Sequence, residues 1–270
     1  MIKRTITGVF ITALVYIIIC FSHITPLLYV ATAFLSMSAV YEIYHVIGFD
    51  KNKQTLIGSM GAAGIISLLP IPQYEYLSNA VFVLAVVVFI ILMASMDSYR
   101  FTSTKQAAIV AFLIVLLFKA IPALRAIEHG LYYLTFATTI CFITDVFAFL
   151  FGKVFGAHKL APRISPGKTV EGAIGGIVCS AFVAVIIMLV LETHMQLLFD
   201  RWSFLAYVVL TSIIGQFGDL SMSVIKRICG AKDYSNLLPG HGGVLDRFDS
   251  HLLAVPFTLI FCVITGGFIY

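Results

Sequence analysis

The sequence predicts an all-α polytopic membrane protein with about nine transmembrane helices, eight as the alternative, and a cytoplasmic N-terminus. Three observations lead there. Of 270 residues, 60% are hydrophobic and only 11% charged, where a soluble domain carries about 25% charge. The apolar residues come in long unbroken runs, not in the alternating segments of a membrane β-barrel. The basic residues gather on alternate loops, as the positive-inside rule requires. This composition excludes a soluble globule, which could not hide so much apolar surface, and a disordered chain, which needs the opposite balance. A net charge of +4 is too mild for a nucleic-acid partner; the expected partner is the lipid bilayer.

The apolar runs fall at about 5–22, 26–47, 56–70, 78–96, 106–127, 131–152, 171–191, 203–225 and 251–269. Each approaches the ~20 residues that cross ~30 Å of hydrocarbon at 1.5 Å per residue. The first follows Lys3-Arg4 with no small-x-small site behind it, so it reads as a retained helix and not a signal peptide. The third contains Gly58, Gly61 and Gly64 and is either a short tilted span or a re-entrant segment.

With nine spans, one side of the membrane holds the N-terminus and segments 48–55, 97–105, 153–170 and 226–250. That side collects Lys3, Arg4, Lys51, Lys53, Arg100, Lys105, Lys153, Lys159, Arg163, Lys168, Lys226, Arg227, Lys232 and Arg247. Only Arg125 and Arg201 face the other side, and Lys119 lies inside a span. The rich side is therefore cytoplasmic. Two regions follow: residues 1–130 as scaffold helices, and 131–270 as a catalytic region with cytoplasmic loops 153–170 and 226–250. The five cysteines form no CxxC pair and suggest neither a disulfide frame nor a zinc site.

Residue types suited to chemistry concentrate in the second region. Asp145 and Asp219 each lie near the cytoplasmic end of an apolar helix. An ionised carboxylate at that depth costs several kcal/mol unless it meets a cation, a partner or a wet cavity. A polar contact between helices would account for either alone; two near one membrane face point to a shared polar cavity. Asp219, Ser223 and Lys226 recur at i, i+4 and i+7 and so share one helix stripe. The segment Pro239-Gly-His-Gly-Gly-Val-Leu-Asp-Arg-Phe-Asp249 pairs a glycine loop with Asp246 and Asp249 at the start of the last helix. Those two acids would suit an N-terminal turn in any case. Glycine loops at helix N-termini also cradle phosphates, and adjacent carboxylates hold Mg²⁺ with the phosphates completing its shell. In the other loop Pro162 and Pro166 set an extended path from which Arg163 and Lys168 project, towards anionic headgroups or a bound phosphate. Gly172 and Gly176 form a GxxxG helix-packing face. With the short third span, it leaves room for a homodimer.

The stretch Ser223-Val-Ile-Lys-Arg-Ile-Cys-Gly-Ala-Lys-Asp-Tyr-Ser-Asn-Leu-Leu-Pro-Gly-His-Gly-Gly-Val-Leu-Asp-Arg-Phe-Asp249 resembles the signature of the phosphatidate cytidylyltransferases (CDP-diacylglycerol synthases). Gly218-Asp219, the run Ile164-Ser-Pro-Gly-Lys-Thr-Val-Glu-Gly172, and Asp145 with Gly152 and Gly156 resemble the same family. Met222 departs from it where many members carry an acid. Val146 and Phe149 depart where a hydroxyl residue and a Tyr are expected.

The resemblance implies that CTP and phosphatidic acid give CDP-diacylglycerol and pyrophosphate for phospholipid synthesis, with Mg²⁺, as one ion or two. It implies a multi-pass protein of the cell membrane whose active site faces the cytoplasm. Carried over, Asp219 and Asp246 hold the metal, with Asp249 and Asp145 as further candidates. Lys226, Arg227, Lys232 and Arg247 neutralise the triphosphate and the leaving pyrophosphate. Gly242 and Gly243, around His241, offer backbone N–H donors. Arg163 and Lys168 bind the phosphatidate headgroup or assist with CTP. A CTP-dependent polyprenol or phytol kinase is the nearer alternative, but should lack the His-Gly-Gly to Asp-Arg-Phe-Asp signature. An ion-coupled transporter, with Asp145 and Asp219 binding the ions, is disfavoured by the absence of a repeat and by two basic loops on one side.

Overall fold

In a computed structural model the described residues are 2–70, 75–95, 104–238, 240 and 242–270. Over these residues the architecture is mainly helical. The helices are α1 (Ile2–Cys20), α2 (Thr25–Ile47), α3 (Lys53–Leu68), α4 (Glu75–Ser95), α5 (Thr104–Phe118), α6 (Ala120–Ala126), α7 (Gly130–Phe155), α8 (Val170–Met195), α9 (Arg201–Ile228), α10 (Leu245–Phe248) and α11 (His251–Thr265). A small antiparallel hairpin, β1 (Lys159–Ala161) and β2 (Ser165–Thr169), sits between α7 and α8. The two-proline loop is thus extended as expected, but paired with itself.

Over the described residues each apolar run is mostly helical, and the boundaries follow local chemistry. Pro26 opens α2 and Gly48, at φ 84°, closes it, a residue without Cβ taking the left-handed cap. Thr169 caps α8 through the Gly172 N–H, and Asp200 caps α9 through the Trp202 N–H. Among the described residues, five helical stretches are long and apolar enough to cross a membrane: Pro26–Ile47, Lys105–Ala126, Gly130–Phe155, Val170–Met195 and Arg201–Ile228. Three shorter apolar helices accompany them, Thr7–His23, Ala80–Leu92 and His251–Thr265. On α8, Val178, Phe182, Ile186 and Val190 stay exposed at four-residue intervals, a stripe suited to lipid.

The fifth run breaks at Lys119, between α5 and α6. Its ammonium donates to the Ile66 and Leu69 carbonyls, satisfying the unpaired end of α3. A lysine inside an apolar run is thereby turned into a cap for a neighbouring helix.

Among the described residues, two apolar clusters form the interior. One joins α6, α7, α9 and α11 around Phe136, Phe204, Tyr207 and Phe268; the other joins α2, α4, α5, α9 and α11 around Ile43, Phe89, Ile114 and Ile225. Between α7 and α8 the backbones approach closely. A side chain at Gly172 would meet the Ala148 carbonyl, and one at Gly176 the Thr144 carbonyl. The GxxxG pair offered to a second copy is therefore spent inside the chain. All five cysteines are free.

Candidate active site

The site is assembled where α7, α9 and the 229–250 segment meet, with the 157–169 hairpin over it. The helices reach further than the sequence suggested: α7 ends at Phe155 and α9 at Ile228, so the loops begin later than 153 and 226, and Asp145 lies nearly three turns from its helix end.

Gly215 and Gly218 let α9 touch the chain at Asp249 and Ser250; a side chain at Gly218 would run into the Asp249 carbonyl. This approach sets Asp219 beside Asp249 and Asp145, near enough for the three carboxylates to repel one another. The Ser250 hydroxyl donates to Asp145 at 3.2 Å, and the Ser250 N–H to Asp249 at 2.8 Å. Lys168 reaches in from β2 and pairs with Asp219 at 2.6 Å. Burial, then the neighbouring Asp219 and Asp145, push the Asp249 carboxyl well above the ordinary carboxylate range. A cluster so rich in negative charge suits a hard cation.

Asp246 is used differently. Its Oδ1 accepts from Lys226 at 2.6 Å, and its Oδ2 from the Tyr234 and Gly243 N–H groups, both at 2.9 Å. Both oxygens are thus committed to the protein. The Lys226 ammonium also lies 5.3 Å from the centre of the Tyr234 ring, and the Tyr234 hydroxyl donates to the Met222 carbonyl. Burial and then Asp246 push the Tyr234 phenol up, keeping it a neutral donor. Met222 itself is fully buried in the second apolar cluster, so this departure faces the core.

The residue that sequence reasoning missed is Glu42. It is wholly buried on α2 and accepts from the Ser235 hydroxyl at 2.6 Å and from the Val244 and Leu245 N–H groups at 2.7 Å. Gly243 must lack a side chain because Glu42 lies against it. The glycine loop is thus clamped from both sides, by Glu42 and Asp246. The signal was present as a lone acid inside the 26–47 apolar run.

The remaining predicted residues fall into place as follows. Arg227 donates to the Ile164 and Ala231 carbonyls, tying the two loops together. Arg163, Lys232 and Arg247 are exposed at the rim, Arg247 near enough to Asp145 to act on its charge. Gly242, at φ 81°, and Gly243 form the turn closed by the Leu238 N–H to the Gly242 carbonyl. His241 lies outside the described residues. Gly152, Gly156 and Gly172 all crowd the Thr169 hydroxyl, which accounts for the glycines that follow Asp145. Among the described residues no three His, Cys, Asp or Glu side chains converge as a ready metal cage. The donors are hard oxygens, so they fit a Mg²⁺ that keeps water or phosphate for the rest of its shell.

Residues 2–265 match the Cytidylyltransferase family. The chain belongs to that family. Curated cytidylyltransferases similar to it are each named Phosphatidate cytidylyltransferase. The protein of Staphylococcus saprophyticus is 44% identical over 129 residues, 48% of this chain and 48% of the relative. That of Staphylococcus epidermidis is 44% identical over 138 residues, 51% of this chain and 52% of the relative. That of Staphylococcus aureus is 45% identical over 129 residues, 48% of each. The chain spans about half the length of the curated relatives it matches.

Proposed function

We propose that the protein transfers the cytidylyl group of CTP to phosphatidic acid, giving CDP-diacylglycerol and pyrophosphate at the cytoplasmic face of the cell membrane. The observation that carries this is a glycine loop clamped between two buried carboxylates, next to the Asp145, Asp219 and Asp249 cluster and ringed by cations. Family membership and the names of the relatives support the same reading.

A phosphatidate oxygen attacks the α-phosphorus; a new P–O bond forms, and the bond to the β-phosphate oxygen breaks to release pyrophosphate. Two polyanions must meet, so positioning and charge neutralisation do most of the catalysis. Asp219 and Asp249, with Asp145 beside them, would hold Mg²⁺, which would neutralise phosphate charge on the nucleotide. Lys168 would then turn from Asp219 to a substrate phosphate. Asp246 serves as the loop's anchor, a change from the metal role that the resemblance implied. Arg247 and Lys232 neutralise the triphosphate from the rim, Arg227 holds the loops together, and Arg163 meets the lipid headgroup. The phosphomonoester, with its second pKa about 6, is already largely ionised, so no general base is needed. The concentration of basic residues on one side supports nine crossings with the N-terminus and both loops in the cytoplasm.

The test is the purified full chain with CTP, phosphatidate and Mg²⁺. CDP-lipid and pyrophosphate should appear in equal amounts, and Asp219→Asn should lower turnover at least about 100-fold. A phosphorylated alcohol with CDP would mean a kinase, and no turnover would remove the reading.

A further inference from the structure

Beside the glycine loop lies an apolar cavity of about 430 Å³ between α1, α2, α7 and α11. Its walls include Leu14 and Ile18 from α1 and Leu28 and Ala31 from α2, together with Val244 and Phe248 next to the loop. His251, on α11, lines it. The imidazole is 5% exposed, and neither ring nitrogen meets a hydrogen-bond partner among the described residues. Rings of Phe142 and Phe248, at 5.0 and 5.5 Å, hold it in place. A buried polar group left without a partner calls for an explanation, and a neutral imidazole presents one N–H donor. His251 is only two residues beyond Asp249, at the edge of the carboxylate cluster.

We propose that this cavity holds one acyl chain of the lipid substrate, with the His251 N–H donating to that chain's ester carbonyl. The inference rests on the phosphatidate reading above. The sequence of chemistry along the protein matches that of the lipid: carboxylates and cations for the phosphate, a lone donor for the ester, then an apolar chamber. The cavity's almost wholly apolar lining offers nothing to a soluble ligand.

The test compares dipalmitoyl and dioctanoyl phosphatidate, and the dialkyl ether analogue, in the same mixed micelles. Ala31→Phe, which narrows the chamber, should cut kcat/KM for the dipalmitoyl substrate by about tenfold or more while the dioctanoyl value stays within about twofold. His251→Leu should raise KM for the diester several-fold and leave the diether unchanged, and His251→Gln should restore part of the loss. Equal losses at both chain lengths, or no loss at either, would overturn the proposal and leave the cavity to bulk bilayer lipid. Equal effects of His251→Leu on ester and ether would also overturn it. If the wild-type chain makes no CDP-lipid from any phosphatidate, the cytidylyltransferase reading itself falls, and this inference with it.

Discussion

At the residue scale the site depends on buried carboxylates with different duties. Asp246 and Glu42 have their oxygens taken up by donors from Lys226 and the 234–245 segment, whereas Asp145, Asp219 and Asp249 share a crowded pocket that Lys168 enters. This division predicts distinct mutant behaviour. Glu42→Gln keeps the shape but brings an N–H₂ to backbone N–H groups, so one donor loses its acceptor. It should cost about 1–3 kcal/mol, read by thermal unfolding in detergent, and should raise KM for CTP through the loosened loop. Lys168→Met should lower turnover by about two orders of magnitude and also lower the unfolding temperature, because the buried ammonium offsets the charge of the carboxylate cluster. Asp145, Asp219, Asp246 and Asp249 were legible in the sequence as acids in apolar or glycine-rich surroundings. Their separate duties were not, since spacing along a helix does not say which donors another helix brings.

At the element scale, helices α7 and α8 pack through glycine and α3 is finished by a side chain from elsewhere. Gly176→Leu would drive a branched side chain into the Thr144 carbonyl and Ala148. It should destabilise the fold by about 1–3 kcal/mol or more, seen as loss of monodisperse protein on gel filtration. Val178→Leu, on the exposed stripe of α8, should change stability by no more than about 0.5 kcal/mol and leave the gel-filtration peak monodisperse. Lys119→Met strands the Ile66 and Leu69 carbonyls and should lower the unfolding temperature, with kcat per folded molecule little changed. Long apolar runs made these helices readable. The break at Lys119 was hidden because a single cation in a run reads equally as a snorkelling side chain, a kink or a partner for another element. The β1–β2 hairpin was hidden because two prolines announce extension without saying what pairs with it.

At the scale of the whole molecule, the sequence carried the fold class and the region of the site, through composition and the 223–249 signature. It hid the dependence of that site on the first half of the chain, because Glu42 meets its partners only in three dimensions. The topology is testable directly. In a cysteine-free background, single cysteines at Lys159 and Lys232 should label from the cytoplasmic side. Cysteines at Glu128 and Gln196 should label only from the opposite side. Reversal of either pair would change the number of crossings.

The clamp on the glycine loop also sets a timetable for biosynthesis. Glu42 emerges from the ribosome 202 residues before Val244 and 203 before Leu245, the backbone groups that complete its hydrogen bonds. At roughly 5–20 residues per second, α2 waits on the order of ten to forty seconds before its acid has a companion. During that interval the Glu42 carboxyl lacks the Ser235 hydroxyl and the two backbone N–H groups that satisfy it in the folded chain. An early helix is therefore completed only once synthesis has passed Leu245, just ahead of the last helix.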